Sequence, residues 1–181
     1  MPEEIEVPTE HLQEKINEAA KGGEGEGPAW IGQVALSAAV LSVAAAVAAL
    51  LAGHHANEAM IDQMQASDQW GYYQAKGIKA TLVENKIDML AAMGKEAREE
   101  DRKKGERYKE EQKEIEAKAH EKEHAGEEHM HHHVVFARAV TAFQVAIALS
   151  AIAVLSRKKL VWFVGLALGA IGTGLLVQAL L

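Results

Sequence analysis

Residues 29–52 read AWIGQVALSAAVLSVAAAVAALLA, 24 positions without one charged side chain. At 1.5 Å per residue that run makes a helix of about 36 Å, enough to cross a hydrocarbon core of about 30 Å with some tilt. A buried helix in a water-soluble core rarely stays apolar beyond about 14 residues. The run is therefore read as a membrane span. It is not read as a signal peptide, because the residues before it are acidic and Gly-rich where a signal peptide needs a basic start.

Two more runs have the same character. Residues 134–155 are interrupted only by Arg138, and residues 160–181 carry no charge. The expected fold is an all-α membrane protein with three transmembrane helices and an extramembrane helical hairpin between the first and second. Its segments are 1–28 (short amphipathic helix and Gly-rich linker), 29–52 (first span), 53–133 (hairpin), 134–155 (second span), 156–159 (basic loop) and 160–181 (third span).

Charge follows the same partition. Residues 1–28 carry −6, residues 53–133 carry −5 and the remainder +4, which makes the net −7. An acidic chain without a basic stripe argues against nucleic acid as a partner. With no cysteine, disulfides, thiolate metal sites and cysteine nucleophiles are excluded.

The loop Ser156-Arg157-Lys158-Lys159 suits a tight turn between spans. Short basic loops stay on the cytoplasmic side. This one places the N-terminus in the cytoplasm and residues 53–133 on the far side. The basic residues within 53–133 count little, because segments longer than about 60 residues translocate largely regardless of charge.

Within residues 54–93, Met60, Met64, Ala75, Ile78, Leu82, Ile87, Leu90 and Met93 recur at helical spacing and make a thin apolar stripe. Gly94 is the expected turn. A charged return helix follows, with Tyr108 and Ile115 seven apart on one face. Gly71 and Gly77 weaken the first helix unless something approaches them closely. A stripe this thin buries little area in one chain, so the hairpin is expected to pack against copies of itself through Tyr108 and Ile115. In the N-terminal segment, Thr9 is a candidate cap for a short helix carrying Leu12, Ile16 and Ala19 on one face. Residues 22–28 read as a flexible linker.

Small residues line the spans. Ala35, Ser42 and Ala49 lie on one stripe of the first, and Gly165 and Gly169 form a GxxxG pair in the third. Such residues let helix backbones approach in lipid. They are candidate packing positions, between copies or within one chain. Gln33, Gln144 and Ser150 can bond across helices. Arg138 sits about one turn inside its span and can snorkel.

Histidines crowd the approach to the second span: His120, His124, His129, His131, His132 and His133. Imidazole is a common ligand for divalent transition metals. His120 and His124, four apart, share a helix face. Gly126 is expected to interrupt the helix carrying them. The same set also reads as a solvated interfacial collar, or as incidental affinity for immobilised metal. His54 and His55, at the end of the first span, can join His131, His132 and His133 in one belt. Trp70, Tyr72 and Tyr73 lie too far from a span for an aromatic girdle and read as packing residues of the hairpin.

The strings Ala52-Gly53-His54-His55-Ala56-Asn57-Glu58-Ala59-Met60, Gln65-Ala66-Ser67-Asp68-Gln69-Trp70, Tyr72-Tyr73-Gln74-Ala75-Lys76 and Ile78-Lys79 carry a family likeness. With Phe143-Gln144-Val145-Ala146-Ile147-Ala148-Leu149-Ser150-Ala151-Ile152-Ala153-Val154-Leu155, the chain resembles a bacterial family of uncharacterised membrane proteins, the domain-of-unknown-function 4337 family. The resemblance runs from about Trp30 to the end. It implies a location in the bacterial inner membrane. It brings no activity and no catalytic residue.

The residues show no nucleophile–base pair and no phosphate loop, so an enzyme is not expected. The leading expectation is a self-associating structural or scaffolding protein whose partners are membrane lipid and its own copies. A channel or transporter subunit gated through the histidine belt is the alternative. A metal-responsive accessory protein is the third reading.

Overall fold

In a computed structural model, residues 10–21 and 30–181 are described. Thr9, the linker at 22–28 and Ala29 lie outside them. The described residues form four helices: α1 (Glu10–Lys21), α2 (Trp30–Ala92), α3 (Glu99–Ser156) and α4 (Lys159–Leu180). No strand occurs among the described residues. Helices α2, α3 and α4 each contain a stretch long and apolar enough to cross a membrane. The first span and the outgoing hairpin helix are one uninterrupted helix, and so are the return helix and the second span.

Both turns end their helices in the same way. Gly94 takes φ +68°. Its N–H donates to the Ala91 carbonyl at 2.9 Å, and the Lys95 N–H donates to the Leu90 carbonyl at 2.9 Å. This is the Schellman pattern, which satisfies the last carbonyls of a helix through one left-handed residue. At the end of α3, Arg157 holds that position with φ +55°. There Arg157 donates to Val154 at 3.3 Å and Lys158 to Ala153 at 3.2 Å.

The described residues divide into two compact units, those up to 57 together with 130–181, and those from 58 to 129. The first is a helix bundle. Its packed layers set alanines of α2 against larger residues of α3: Ala45 and Ala48 with Val140, Phe143 and the small Ala139, then Ala52 with Val135 and Phe136 of α3 and Ala179 of α4. Glycines fit α4 into this bundle. A Cβ at Gly165 would meet the Ala146 carbonyl oxygen at 3.0 Å, and one at Gly172 would meet the Phe143 ring at 2.9 Å. One at Gly169 would stand 2.7 Å from a Leu41 methyl. Ile16 of α1 is buried with Ala38 and Ala151, beside Leu12 and Ala35.

The second unit is the hairpin, and its packing face differs from the expected one. Met60, Met64, Ala75, Ile78, Leu82 and Met93 are exposed, while Ile87 and Leu90 are half-buried. The face of α2 turned to α3 instead carries Ala59, Asp62, Ala66 and Ala80, all buried. Opposite them α3 buries Gly105, Ala119 and Gly126. Apart from Asp62, the buried positions recur every seven residues or multiples of seven on both helices. Small side chains let the two backbones come close, and the larger apolar residues are left outside. Gly126 does not break α3; a Cβ there would lie in ordinary van der Waals contact, 3.5 Å from the Ala59 carbonyl oxygen, so the site has room for alanine but is tight for a longer side chain. Gly77 is tighter: a Cβ there would crowd Gln112 Nε2 at 2.7 Å. At Gly71 nothing lies within 4 Å.

Candidate functional site

The bundle has a distinct group of side chains at each end. At one end the start of α2, the end of α3 and the start of α4 meet. Trp30 and Trp162 lie 6.4 Å apart between ring centroids, with the Lys159 ammonium 5.9 Å from the Trp30 ring. The Trp162 indole N–H donates to Ser37 Oγ at 3.1 Å. Tryptophan and basic residues together are the usual furniture of a membrane–water interface. The signal for this pair in the sequence is position: Trp30 and Trp162 each lie at the start of an apolar run.

At the other end lie the histidines of the bundle. His132 Nδ1 donates to the Ala179 carbonyl at 3.2 Å, in the last turn of α4, where carbonyls lack helical partners. His133 Nδ1 donates to the Ala52 carbonyl at 2.9 Å. Carbonyl acceptors require the proton on Nδ1 in both rings. His55 stacks on His132 at 5.0 Å and on Phe136 at 5.5 Å. His54 lies edge-on to His55, and His131 edge-on to His132. Five histidines thus share one end of the bundle, and the contacts of His132 and His133 tie α3 to α4 and to α2. From Trp30 to Ala52 is 22 steps of helix, about 33 Å, which matches a hydrocarbon core.

The hairpin histidines are elsewhere in purpose. His120 Nδ1 lies 2.9 Å from Glu123 Oε2, and the ring meets Trp70 edge-on at 5.2 Å. Glu123 also accepts the Trp70 indole N–H at 2.8 Å. That hydrogen bond first, and His120 second, hold the Glu123 carboxyl below its ordinary value. His124 pairs loosely with Glu128 at 3.9 Å. His129 Nε2 stands 3.9 Å from Asp62 Oδ2. Among the described residues no three His, Asp or Glu converge as a metal set. His120, His124 and His129 each face a different carboxylate, Glu123, Glu128 and Asp62. Successive helical residues turn by about 100°, so neighbours in sequence face different partners.

Asp62 is the centre that sequence reasoning missed. It is 7% exposed, and Lys122 Nζ reaches its Oδ1 at 3.0 Å. Lys122, Gly126 and His129 lie one turn apart on α3, so the small residue at 126 faces a carboxylate flanked by an ammonium and an imidazole. A carboxylate inside an alanine seam was the available signal. Further along, Lys86 bonds both oxygens of Asp101 at 2.7 Å. Lys76 pairs with Glu111, and Lys109 with Glu84. These contacts lower the Asp101 and Glu111 carboxyls and raise the Lys109 ammonium from their ordinary values. Tyr108 lies between Lys76 and Arg107, with cations 5.4 and 5.6 Å from its ring. It and Ile115 are half-buried within the hairpin.

The other expected packing positions also have partners inside the chain. Ala35 and Ala49 pack against buried clusters of the bundle. Ser42 and Ser150 turn their hydroxyls back to carbonyls of their own helices, Ala38 and Ala146, at 2.9 Å, so Ser150 does not bond across helices. Gly165 and Gly169 close on α3 and α2 as described above.

A family model described as Domain of unknown function (DUF4337) matches residues 30–181. The chain belongs to the DUF4337 family. The match covers every residue of both units that lies beyond the first 29. No curated protein and no solved structure matches the chain. For a DUF4337 chain the residues themselves are therefore the guide to function.

Proposed function

We propose that this DUF4337 protein is a structural membrane protein of the bacterial inner membrane that assembles with its own copies and carries no catalytic activity. The bundle spans the lipid three times, and the charged hairpin stays in water as an antiparallel coiled coil. Arg157, Lys158 and Lys159 hold the short loop in the cytoplasm, which puts the N-terminus there and the hairpin on the far side.

One observation carries the reading. Met64, Ile78 and Leu82 are 57, 63 and 63% exposed on a hairpin too polar to lie in lipid. Large apolar side chains in such a row, facing water, mark an association surface. The inward seam of the hairpin is already filled by alanine and glycine, so the row is surplus to the fold of one chain. The test is mass photometry of the full chain in mild detergent, with crosslinking in native membranes. Particles of two or more chains are expected. A monomer under both conditions would overturn the proposal.

A further inference from the structure

Burial on α2 separates two seven-residue patterns. One, described above, faces α3. The other is exposed at every position. In the hairpin unit it takes Ile61, Asp68, Ala75, Leu82 and Met89, with Met64, Gly71, Ile78 and Asn85 alternating between them. The spacing is 3, 4, 3, 4, the seam of a two-stranded coiled coil. In the sequence the same phase extends back through Leu36, Val40, Val43, Val47 and Leu50, each exposed on α2.

From this we infer that the outward face of α2, built on Ile61, Met64, Ala75, Ile78, Leu82 and Met89, pairs in parallel and in register with the same face of a second copy of this chain. The inference rests on the membrane and self-association reading above.

Three observations choose a second copy as the occupant. The first is charge. Along residues 60–82 the exposed positions of α2 include only Asp68 and Lys79 as charged groups, whereas α3 between Glu99 and Glu128 exposes acidic and basic residues at most outward positions. A partner with a charged face would bury its charges without counterions, and the chain's own neutral face matches itself. The positions flanking the seam, Met60, Ser67, Gln74 and Thr81 on one side and Gln65, Tyr72 and Lys79 on the other, bring no like charges together in a parallel pair.

The second is the treatment of the one seam acid. Asp68 lies in a cleft of its own chain lined also by Lys118, Glu121 and Lys122. The two lysines outnumber Glu121 there, which weakens the repulsion between two Asp68 carboxylates in an in-register pair.

The third is orientation. Copies inserted in one membrane in the same sense present α2 helices that run parallel. Equal residue numbers then meet, and Asn85 meets Asn85. An amide is both donor and acceptor, and a single polar amide in a seam selects register. A one-turn slip would leave each Asn85 against an apolar neighbour.

The chain lacks cysteine, so single cysteines report the geometry directly. Full-length Met64→Cys and Ile78→Cys, oxidised in native membranes, are each expected to give disulfide-linked homodimers. Glu114→Cys, on the charged outer face of α3, is expected to remain monomeric on a denaturing gel. Co-expression of tagged Met64→Cys with untagged Ile78→Cys is expected to give the two homodimers and no mixed species, because the positions lie about 21 Å apart along a helix. Mixed dimers would overturn the parallel register. An assembled particle by mass photometry that links only through Glu114→Cys would overturn the face and leave the self-association reading standing. A monomeric particle would remove both. Independently, Ile78→Glu with Leu82→Glu is expected to abolish assembly at unchanged helicity, and an intact particle would overturn the inference.

Discussion

Gly126 of α3 lies against Asp62 of α2 so closely that a Cβ at 126 would stand 3.5 Å from the Asp62 Cβ. That distance is ordinary van der Waals contact, so alanine fits where a longer side chain does not. Alanine also favours a helix over glycine by about 1 kcal/mol. Gly126→Ala is therefore expected to raise the thermal midpoint of the hairpin. Gly126→Leu is expected to lower stability by about 1–3 kcal/mol through overpacking. Circular dichroism melts of the detergent-solubilised protein give the sign of each change.

Asp62 depends on the Lys122 ammonium beside it. Its side chain is 10% exposed, Lys122 is 39% exposed, and His129 stands at 3.9 Å. Asp62→Ala removes the shared anion. Lys122 can turn to water, so its loss of partner is partly solvated. The expected destabilisation is about 1–2 kcal/mol, near the range for a hydrogen bond to a charged group. Lys122→Met in the Asp62→Ala background is expected to recover part of it. Equal melts for wild type and Asp62→Ala would show that the buried pair contributes nothing.

How much of this was legible beforehand divides along physical lines. Residues 29–52, 134–155 and 160–181 announce themselves because hydropathy is summed over a whole helix. Gly94 announces the turn because a left-handed residue is a local requirement. The packing face of the hairpin does not announce itself. Hydropathy selects Met64, Ile78 and Leu82, but the helices meet through Ala59, Ala66, Gly105, Ala119 and Gly126, which have little hydropathy and the right size. The signal was spacing: Ala38, Ala45, Ala52, Ala59, Ala66 and Ala80 all fall on one seven-residue register. Neighbouring histidines need not share a partner: the turn of the helix gives His120, His129 and His133 to Glu123, Asp62 and the Ala52 carbonyl.

The hairpin ion pairs fix its response to pH. Asp101, Glu111 and Glu123 all have folded values below their ordinary ones. Stability from a lowered carboxyl is present above the unfolded value and is lost as pH falls through the folded value. Loss is therefore expected on acidification below about 4. Lys109 has the opposite sign: raised from 10.5, its contribution is present below that value and is lost as pH rises through the folded one. Melts of the full chain are expected to fall on the acid side and again on the alkaline side. Glu123→Gln keeps an oxygen for the Trp70 N–H and removes a titrating group, so its acid limb is expected to be shallower. An unchanged acid limb in that variant would show that Glu123 does not contribute to it.

The two Schellman turns invite a direct exchange. Gly94 takes φ +68° at no steric cost, whereas Arg157 holds φ +55° with a Cβ. A side chain in that region costs about 1 kcal/mol or more. Arginine at 157 is thus unfavourable for the turn, and its charge belongs to the loop that is proposed to set orientation. The two effects separate by mutation. Arg157→Gly is expected to stabilise the bundle by about 1 kcal/mol, because it relieves the left-handed residue. It removes one of three positive charges, so a reporter fused at the N-terminus is expected to show partial loss of the single orientation. Lys158→Gln with Lys159→Gln removes two charges at positions without positive φ, and is expected to disturb orientation more and raise stability not at all. Gly94→Arg is the reciprocal case, expected to destabilise the hairpin by about 1 kcal/mol without moving the reporter. A stabilised Arg157→Gly protein with its orientation intact would mean that Lys158 and Lys159 suffice, and that the strain at 157 has some other reason.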